Sequence, residues 1–233
     1  MLISLLTSGY SIDIILVLLV AILVSATLSI VVHEISHGYA ALLCGDNTAK
    51  LNNRLTLNPL AHFDLVGIIL LCVIGFGWAK PVPINVSNFK NRKGGILFVS
   101  IAGVLSNLIM CGLALLFLYL FYPYLVALCM LNTPLRLLGY LFLYFLQYMV
   151  ILNLTLAFFN FLPIAPLDGF KFLDALLPFG NKYSIFMRRY GWLVLLGVIL
   201  ISNALNHLGL EQYNIFHLVQ NLARALINMV TGG

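Results

Sequence analysis

Long stretches without a charged residue constrain the fold of this chain more than any other feature of its sequence. The run IILVLLVAILVSATLSIVV, from Ile14 to Val32, carries no charge, and further apolar runs follow it. Only 8% of the 233 residues are charged and 62% are hydrophobic, whereas soluble domains carry about 25% charged residues. These charges are too few to cover a water-facing surface, so we predict an all-α polytopic membrane protein within the lipid bilayer.

The apolar runs predict a core of about three transmembrane helices in a single domain over 1–233, with that core at about 11–177. Between the first two helices, LVGIILLCVIGFGWA (65–79) is too short to cross a hydrocarbon core of ~30 Å at ~1.5 Å per residue. It therefore predicts a re-entrant or membrane-edge element. One or two membrane segments are expected in the C-terminal part, at about 190–229. The predicted helices are, approximately, Ser11 to Leu43, Gly95 to Tyr122, Leu137 to Phe161, a short amphipathic stretch from Gly169 to Leu177, a further span from Tyr190 to Leu205, and a tail from Tyr213 to Met229 that either crosses the membrane or lies at its surface.

The distribution of basic residues predicts the orientation of these helices. Ten of the twelve Lys and Arg lie in 44–64, 80–93 and 163–190, whereas the segment 123–136 holds only Arg136. Because short cytoplasmic loops are enriched in Lys and Arg, we expect the first three segments to face the cytoplasm of a cell-membrane protein. The net charge of +5 is explained in this way, and we predict no nucleic-acid partner.

The motif His33-Glu34-Ile35-Ser36-His37 fits H-E-x-x-H at the end of the first helix. On a helix, residues i and i+4 lie one above the other, so both imidazoles can bind one metal ion, and Glu34 is placed to deprotonate a metal-bound water. A charged residue in an apolar helix also costs at least ~2.5 kcal/mol, which indicates a functional role. The alternative is a chance match at the membrane surface, with Glu34 reaching water.

A catalytic zinc site requires a third protein ligand. His62 is possible, but its surroundings predict a polar loop, and Glu211 is expected on the far side of the membrane. Asp168 ends a membrane helix on the same side as the histidines, where Pro163 and Pro166 break that helix. Asp168 is our candidate, with an N-cap of the helix at 169–177 as the alternative role. The two remaining histidines, near or beyond the last spans, read as interfacial residues: His207 and His217.

Five segments, in this order, resemble the site-2 protease family of intramembrane zinc metalloproteases (peptidase family M50), in particular the small bacterial type without a PDZ domain. They are HEISHGYAA, RLTLNPLAHFD, GWAKPVPIN, AGVLSN and NFLPIAPLDG, and the resemblance covers about 25–175. It implies that His33, His37 and Asp168 bind Zn²⁺, that Glu34 is the catalytic base, and that Asn160 lies near the substrate. One departure is Val104, where the family often has proline, and it leaves the zinc site untouched.

The expected activity is that of a zinc metalloendopeptidase that hydrolyses peptide bonds in or near transmembrane segments of other proteins. Asn160 is then a candidate donor to substrate, or else a helix-end cap. Asn107, within an apolar helix, is expected to make an inter-helix hydrogen bond. The alternatives are a metal transporter, disfavoured by the few ionisable groups in the middle helices, and a non-catalytic membrane scaffold that keeps a metal site.

Overall fold

The computed structural model describes residues 11–62, 64, 80–132 and 134–232, and all regular secondary structure within them is helical. The prediction of an all-α protein is confirmed for this part of the chain. The predicted element at 65–79 lies outside the described residues. The helices are α1 (Ile12–Leu43), α2 (Thr48–Leu51), α3 (Arg92–Cys129), α4 (Leu135–Phe161), α5 (Asp168–Leu176), α6 (Lys182–His207) and α7 (Ile215–Thr231).

Four of these helices, α1, α3, α4 and α6, are long and apolar enough to cross a membrane. The first three pack on one another. Contacts of α1 with α4 advance together along both helices, from Asp13–Arg136 to Ser25–Phe145, so these two helices run parallel. Contacts of α1 with α3 pair His33 with Asn107 and His37 with Val99, so these two run antiparallel. The region that follows α1, the start of α3 and the end of α4 therefore meet at one end of the bundle.

The second long helix differs from its prediction at both ends. It begins at Arg92 rather than Gly95 because the Asn91 side chain accepts a hydrogen bond from the Gly94 main chain and caps the helix. It continues to Cys129, although the sequence predicted an end before Pro123. Proline removes one main-chain donor, but a long apolar helix packed against its neighbours tolerates that loss.

The C-terminal helices are tied to the bundle by polar caps and an apolar face. Asn181 caps α6, so that helix begins eight residues before its predicted start and includes basic residues that we expected in the preceding loop. Asn214 caps α7 and also bonds to Ser202 of α6. One face of α7 packs into a cluster between α3 and α4, where small alanines permit close approach. That cluster comprises Cys111, Ala114, Leu118, Met149, Val150, Ala223 and Ile227.

Candidate metal centre

Three side chains from the two motifs converge at one point near this end of the bundle. The Nε2 atoms of His33 and His37 lie 3.1 Å apart. Oδ2 of Asp168 lies 3.2 Å from Nε2 of His33 and 2.9 Å from Nε2 of His37. All three side chains are buried. Within the described parts of the chain, this is the one group of three or more His, Cys, Asp or Glu side chains arranged to hold a metal ion.

The local structure of α1 and α5 explains how these residues meet. His33 and His37 are one helical turn apart on the buried face of α1. Asp168 is the first residue of α5, and Leu167 occupies the N-cap position. The alternative role of Asp168 as an N-cap is therefore wrong, because the cap position falls one residue earlier and the carboxylate is directed at the two histidines.

The start of α5 approaches the end of α4 very closely. A Cβ atom at Gly169 would lie 2.2 Å from the carbonyl oxygen of Phe161. Only glycine leaves room for this approach, and it allows Asp168 to reach the histidines. The sequence PLDG thus contributes both a carboxylate and the space that it needs.

A glycine of α3 provides the corresponding space on the other side of the histidines. A Cβ atom at Gly103 would lie 2.5 Å from Cε1 of His33 and 2.5 Å from Nε2 of His37. Both imidazoles therefore rest directly on the main chain of α3. Sequence reasoning missed Gly103, although it lies four residues before Asn107 in the segment AGVLSN.

Each imidazole donates from Nδ1, which leaves Nε2 free as a ligand atom. Nδ1 of His37 donates to the Val99 carbonyl oxygen at 2.8 Å, and Nδ1 of His33 donates to Oδ1 of Asn107 at 2.6 Å. Hydrogen bonds of this kind orient histidine ligands in metal sites. The expectation that Asn107 makes an inter-helix hydrogen bond is confirmed, and its partner is a residue of the site itself.

The donor set and its dimensions fit a zinc ion. When ligand atoms lie ~2.0–2.2 Å from a tetrahedral zinc, neighbouring ligand atoms are about 3.3–3.6 Å apart, a few tenths of an ångström more than here. The edges of the triangle formed by the two Nε2 atoms and Oδ2 measure 2.9 to 3.2 Å. Two imidazoles and one carboxylate with a further open position are a donor set typical of catalytic zinc.

Oδ1 of Asp168, the oxygen that is not part of the triangle, accepts a hydrogen bond from a neighbouring lysine. Nζ of Lys171, one turn further along α5, donates to Oδ1 at 2.8 Å. Both oxygens of Asp168 are thus in use, Oδ2 facing the two imidazoles and Oδ1 bonded to Lys171.

Glu34 lies beside the triangle and is half-buried. Its Oε2 accepts a hydrogen bond from the main-chain N–H of Val82 at 2.9 Å. Val82 belongs to the segment GWAKPVPIN, one of the five that carry the family resemblance. Asn160, in the last turn of α4, is partly buried and donates from Nδ2 to the Leu156 carbonyl oxygen at 3.1 Å. Its contact with substrate stays a prediction.

The other histidines considered as ligands lie apart from this group. His62 is fully buried, and its Nε2 donates to the Thr56 carbonyl oxygen at 2.8 Å. Nε2 of His217 lies 3.3 Å from Oε2 of Glu211. Neither belongs to the group arranged for a metal, so Asp168 stays the candidate for the third ligand position.

The segment that carries Val82 is pinned to the end of α1 by a buried aspartate. Asp46 is fully buried and accepts hydrogen bonds from the main-chain N–H of Asn85 at 2.7 Å and from Nδ2 of Asn88 at 2.7 Å. Burial would raise the pKa of Asp46, but hydrogen bonds from Thr48, Asn85 and Asn88 outweigh it and lower that pKa. This charged anchor fixes the segment beside Glu34.

Comparison with known proteins finds a relative in Bacillus subtilis (strain 168) named "Putative zinc metalloprotease YwhC". It is 38% identical over 177 residues, which are 75% of this chain and 78% of the relative. No family model matches the chain, and no solved structure matches it. Zinc, the metal in the relative's name, is the ion that the His33, His37 and Asp168 donor set fits.

Proposed function

The chain belongs to the zinc metalloprotease family that includes YwhC, with zinc as its cofactor, and from this premise we propose an intramembrane protease of the site-2 type. It hydrolyses peptide bonds in or near transmembrane segments of other membrane proteins, as in regulated intramembrane proteolysis. The observation that carries the proposal is the convergence of His33, His37 and Asp168 beside Glu34. The two histidines and Glu34 lie on α1, a helix long and apolar enough to span a membrane.

The residues of the site divide the work of hydrolysis among them. His33, His37 and Asp168 would hold the zinc ion, which supplies a Lewis acid that polarises the scissile carbonyl and activates water. Glu34 takes a proton from the attacking water and delivers it to the leaving amine. The Val82 N–H orients the Glu34 carboxylate by a charge-assisted hydrogen bond. Asn160 is a candidate donor to the substrate.

The depth of the site supports the proposed substrate class. Asp13 and His33 are 20 residues apart on α1, or about 30 Å along the helix axis, which equals the thickness of a hydrocarbon core. The site then lies near the membrane edge opposite Asp13. A transmembrane helix would have to unwind locally there, because a fully hydrogen-bonded helix does not present its peptide bonds. The basic segments favour the cytoplasm for this edge.

The proposal is tested with purified full-length protein and its Glu34→Gln variant. We expect about one zinc per chain in both forms, because the ligands are unchanged. A mixture of labelled single-span transmembrane peptides in detergent, analysed by mass spectrometry, should be cleaved by the parent protein and not by the variant. His33→Ala serves as the control that loses both zinc and cleavage.

The rival functions predict other results. Zinc in both forms with cleavage in neither would favour a non-catalytic scaffold and would overturn the proposed activity. Cleavage that persists in Glu34→Gln would overturn the role of Glu34. Uptake of zinc into vesicles that contain the protein would favour transport.

A further inference from the structure

A chain of buried polar side chains connects the metal centre to the interior of the helix bundle. It passes from His33 through Asn107 of α3 to Asn153 of α4 and ends at Ser29 of α1. Asn107 is 1% exposed, and Asn153 and Ser29 are 0% exposed. In an apolar bundle such groups are stable only when each finds a partner.

Main-chain carbonyl oxygens near Asn153 and Ser29 determine which atom donates in each hydrogen bond of this series of side chains. Nδ2 of Asn153 lies 2.8 Å from the Met149 carbonyl oxygen, and only the amide nitrogen can donate to it. The Ser29 hydroxyl donates to the Ser25 carbonyl oxygen at 2.7 Å and accepts from Nδ2 of Asn153 at 2.8 Å. The side-chain oxygen of Asn153 must therefore face Asn107.

The amide orientation of Asn107 and the tautomer of His33 follow in the same way. Because Asn153 presents an oxygen, Asn107 must present its Nδ2, which donates at 2.8 Å. Oδ1 of Asn107 then faces His33 at 2.6 Å, and a histidine facing an oxygen must carry its proton on Nδ1. His33 thus keeps its lone pair on Nε2, toward Asp168 and His37.

We propose that Asn153 is a positioning residue of the metal centre, which acts through Asn107 to hold His33 in the tautomer that binds zinc. This inference rests on the proposed function, since it assigns a role toward the same zinc site. His37 needs no such device, because the Val99 carbonyl oxygen sets its tautomer directly. The role belongs to α4, a helix that contributes none of the three metal-binding groups.

Loss of Asn153 removes the constraint on Asn107. The Asn107 amide is then free to turn over and present Nδ2 to His33, which requires an unprotonated Nδ1 and a proton on Nε2. That tautomer has no lone pair on Nε2, the atom that faces the metal position. Partners of this kind around ligands are worth roughly 10–100-fold in metal affinity.

The experiment measures how much chelator strips zinc from the full-length protein. For Asn153→Leu, which keeps the approximate volume of the side chain, we expect zinc affinity to fall roughly 10–100-fold. In the stripped variant, labelled with ¹⁵N-histidine, the His33 resonances should shift from the Nδ1–H to the Nε2–H form. Ser25→Ala is the matched control, because it removes the Ser25–Phe145 hydrogen bond of the same α1–α4 interface and should leave both readouts unchanged.

Repeating the Asn153 substitution in a second background, Asn107→Asp, separates a positioning role of Asn153 from a packing role. Asn107→Asp offers an acceptor to His33 in either orientation, so adding Asn153→Leu to it should change zinc affinity by no more than about twofold. An equal loss in both backgrounds would overturn the proposal, as would an unchanged His33 tautomer in Asn153→Leu. If Asn153→Leu does not yield folded protein, Asn153→Ala is compared in the same two backgrounds. Failure of the proposed protease activity leaves these zinc and tautomer readouts intact, so the two proposals fail separately.

Discussion

The positions of the His33 and His37 imidazole rings depend on Gly103, a residue without a side chain. Gly103 brings the main chain of α3 against both rings, and an added Cβ would lie 2.5 Å from atoms of each. Close approach of this kind is possible only for glycine. The residue therefore belongs to the site as much as the histidines do.

We expect Gly103→Ala to abolish high-affinity zinc binding. Both rings must move by about half an ångström or more to relieve the contact, which exceeds the ~0.2 Å tolerance of zinc–ligand distances. Bound zinc per chain measures the effect. The matched control is Gly112→Ala in the same helix, where an added Cβ meets no atom within 4 Å. Full zinc occupancy in Gly103→Ala would contradict this account of the site.

The residues predicted from sequence were those that carry the reactive groups themselves. His33, Glu34 and His37 are recognisable from their spacing on one helix, and Asp168 from its place in the second motif. Gly103, Val82 and Asn153 were missed because their roles depend on contacts between segments distant in the sequence. Lys171 was also missed, although its contact with Asp168 is local, one turn along α5. The amide at Asn107 was expected to bond between helices, but its partner was not identified.

Among the structural elements, the segment at 80–91 has the clearest functional position. Asp46 holds it at Asn85 and Asn88, and Val82, buried between two prolines, donates its N–H to Glu34. A residue before proline favours an extended backbone. The segment thus delivers one main-chain donor to the proposed base.

We expect Val82→Pro to slow cleavage while zinc content stays unchanged. The substitution removes the N–H that Glu34 accepts, and a hydrogen bond to a charged group contributes about 1.5–3 kcal/mol, or roughly 10–100-fold in rate. Val82→Ala keeps the N–H and should retain most of the activity. Equal losses of kcat in both variants would show that the Val82 side chain, and not its N–H, is what the site requires.

At the scale of the whole molecule, the bundle has two chemically different ends. One carries the metal centre and lies close to the basic segments. The other carries the ion pair of Asp13 and Arg136, with an N–O distance of 3.1 Å. About 30 Å of α1 separates Asp13 from His33. From this distribution of charge we predict a single orientation in the membrane, with the metal centre toward the cytoplasm.

Labelling of single cysteines tests this orientation. In a background without the four native cysteines, Asn132→Cys and Asn52→Cys place one exposed thiol at each end of the bundle. On intact cells a membrane-impermeant maleimide should label position 132, and it should label position 52 only after permeabilisation. The reverse pattern would contradict the charge-based orientation.

The sequence by itself determined the helical membrane class, the candidate metal-binding and catalytic side chains and the approximate helix positions. These properties depend on local patterns, namely apolar run length and the i, i+4 spacing. Helix ends were less predictable: α3 extends through Pro123 to Cys129 and α6 begins at Lys182, because caps and neighbouring helices decide where helices end. Only the tertiary structure decided that Asp168 meets His33 and His37, that Gly103 makes room for both rings, and that Asn107 and Asn153 face the way they do. The physical reason is that distances and hydrogen-bond directions between separate helices are set by packing, which no local pattern records.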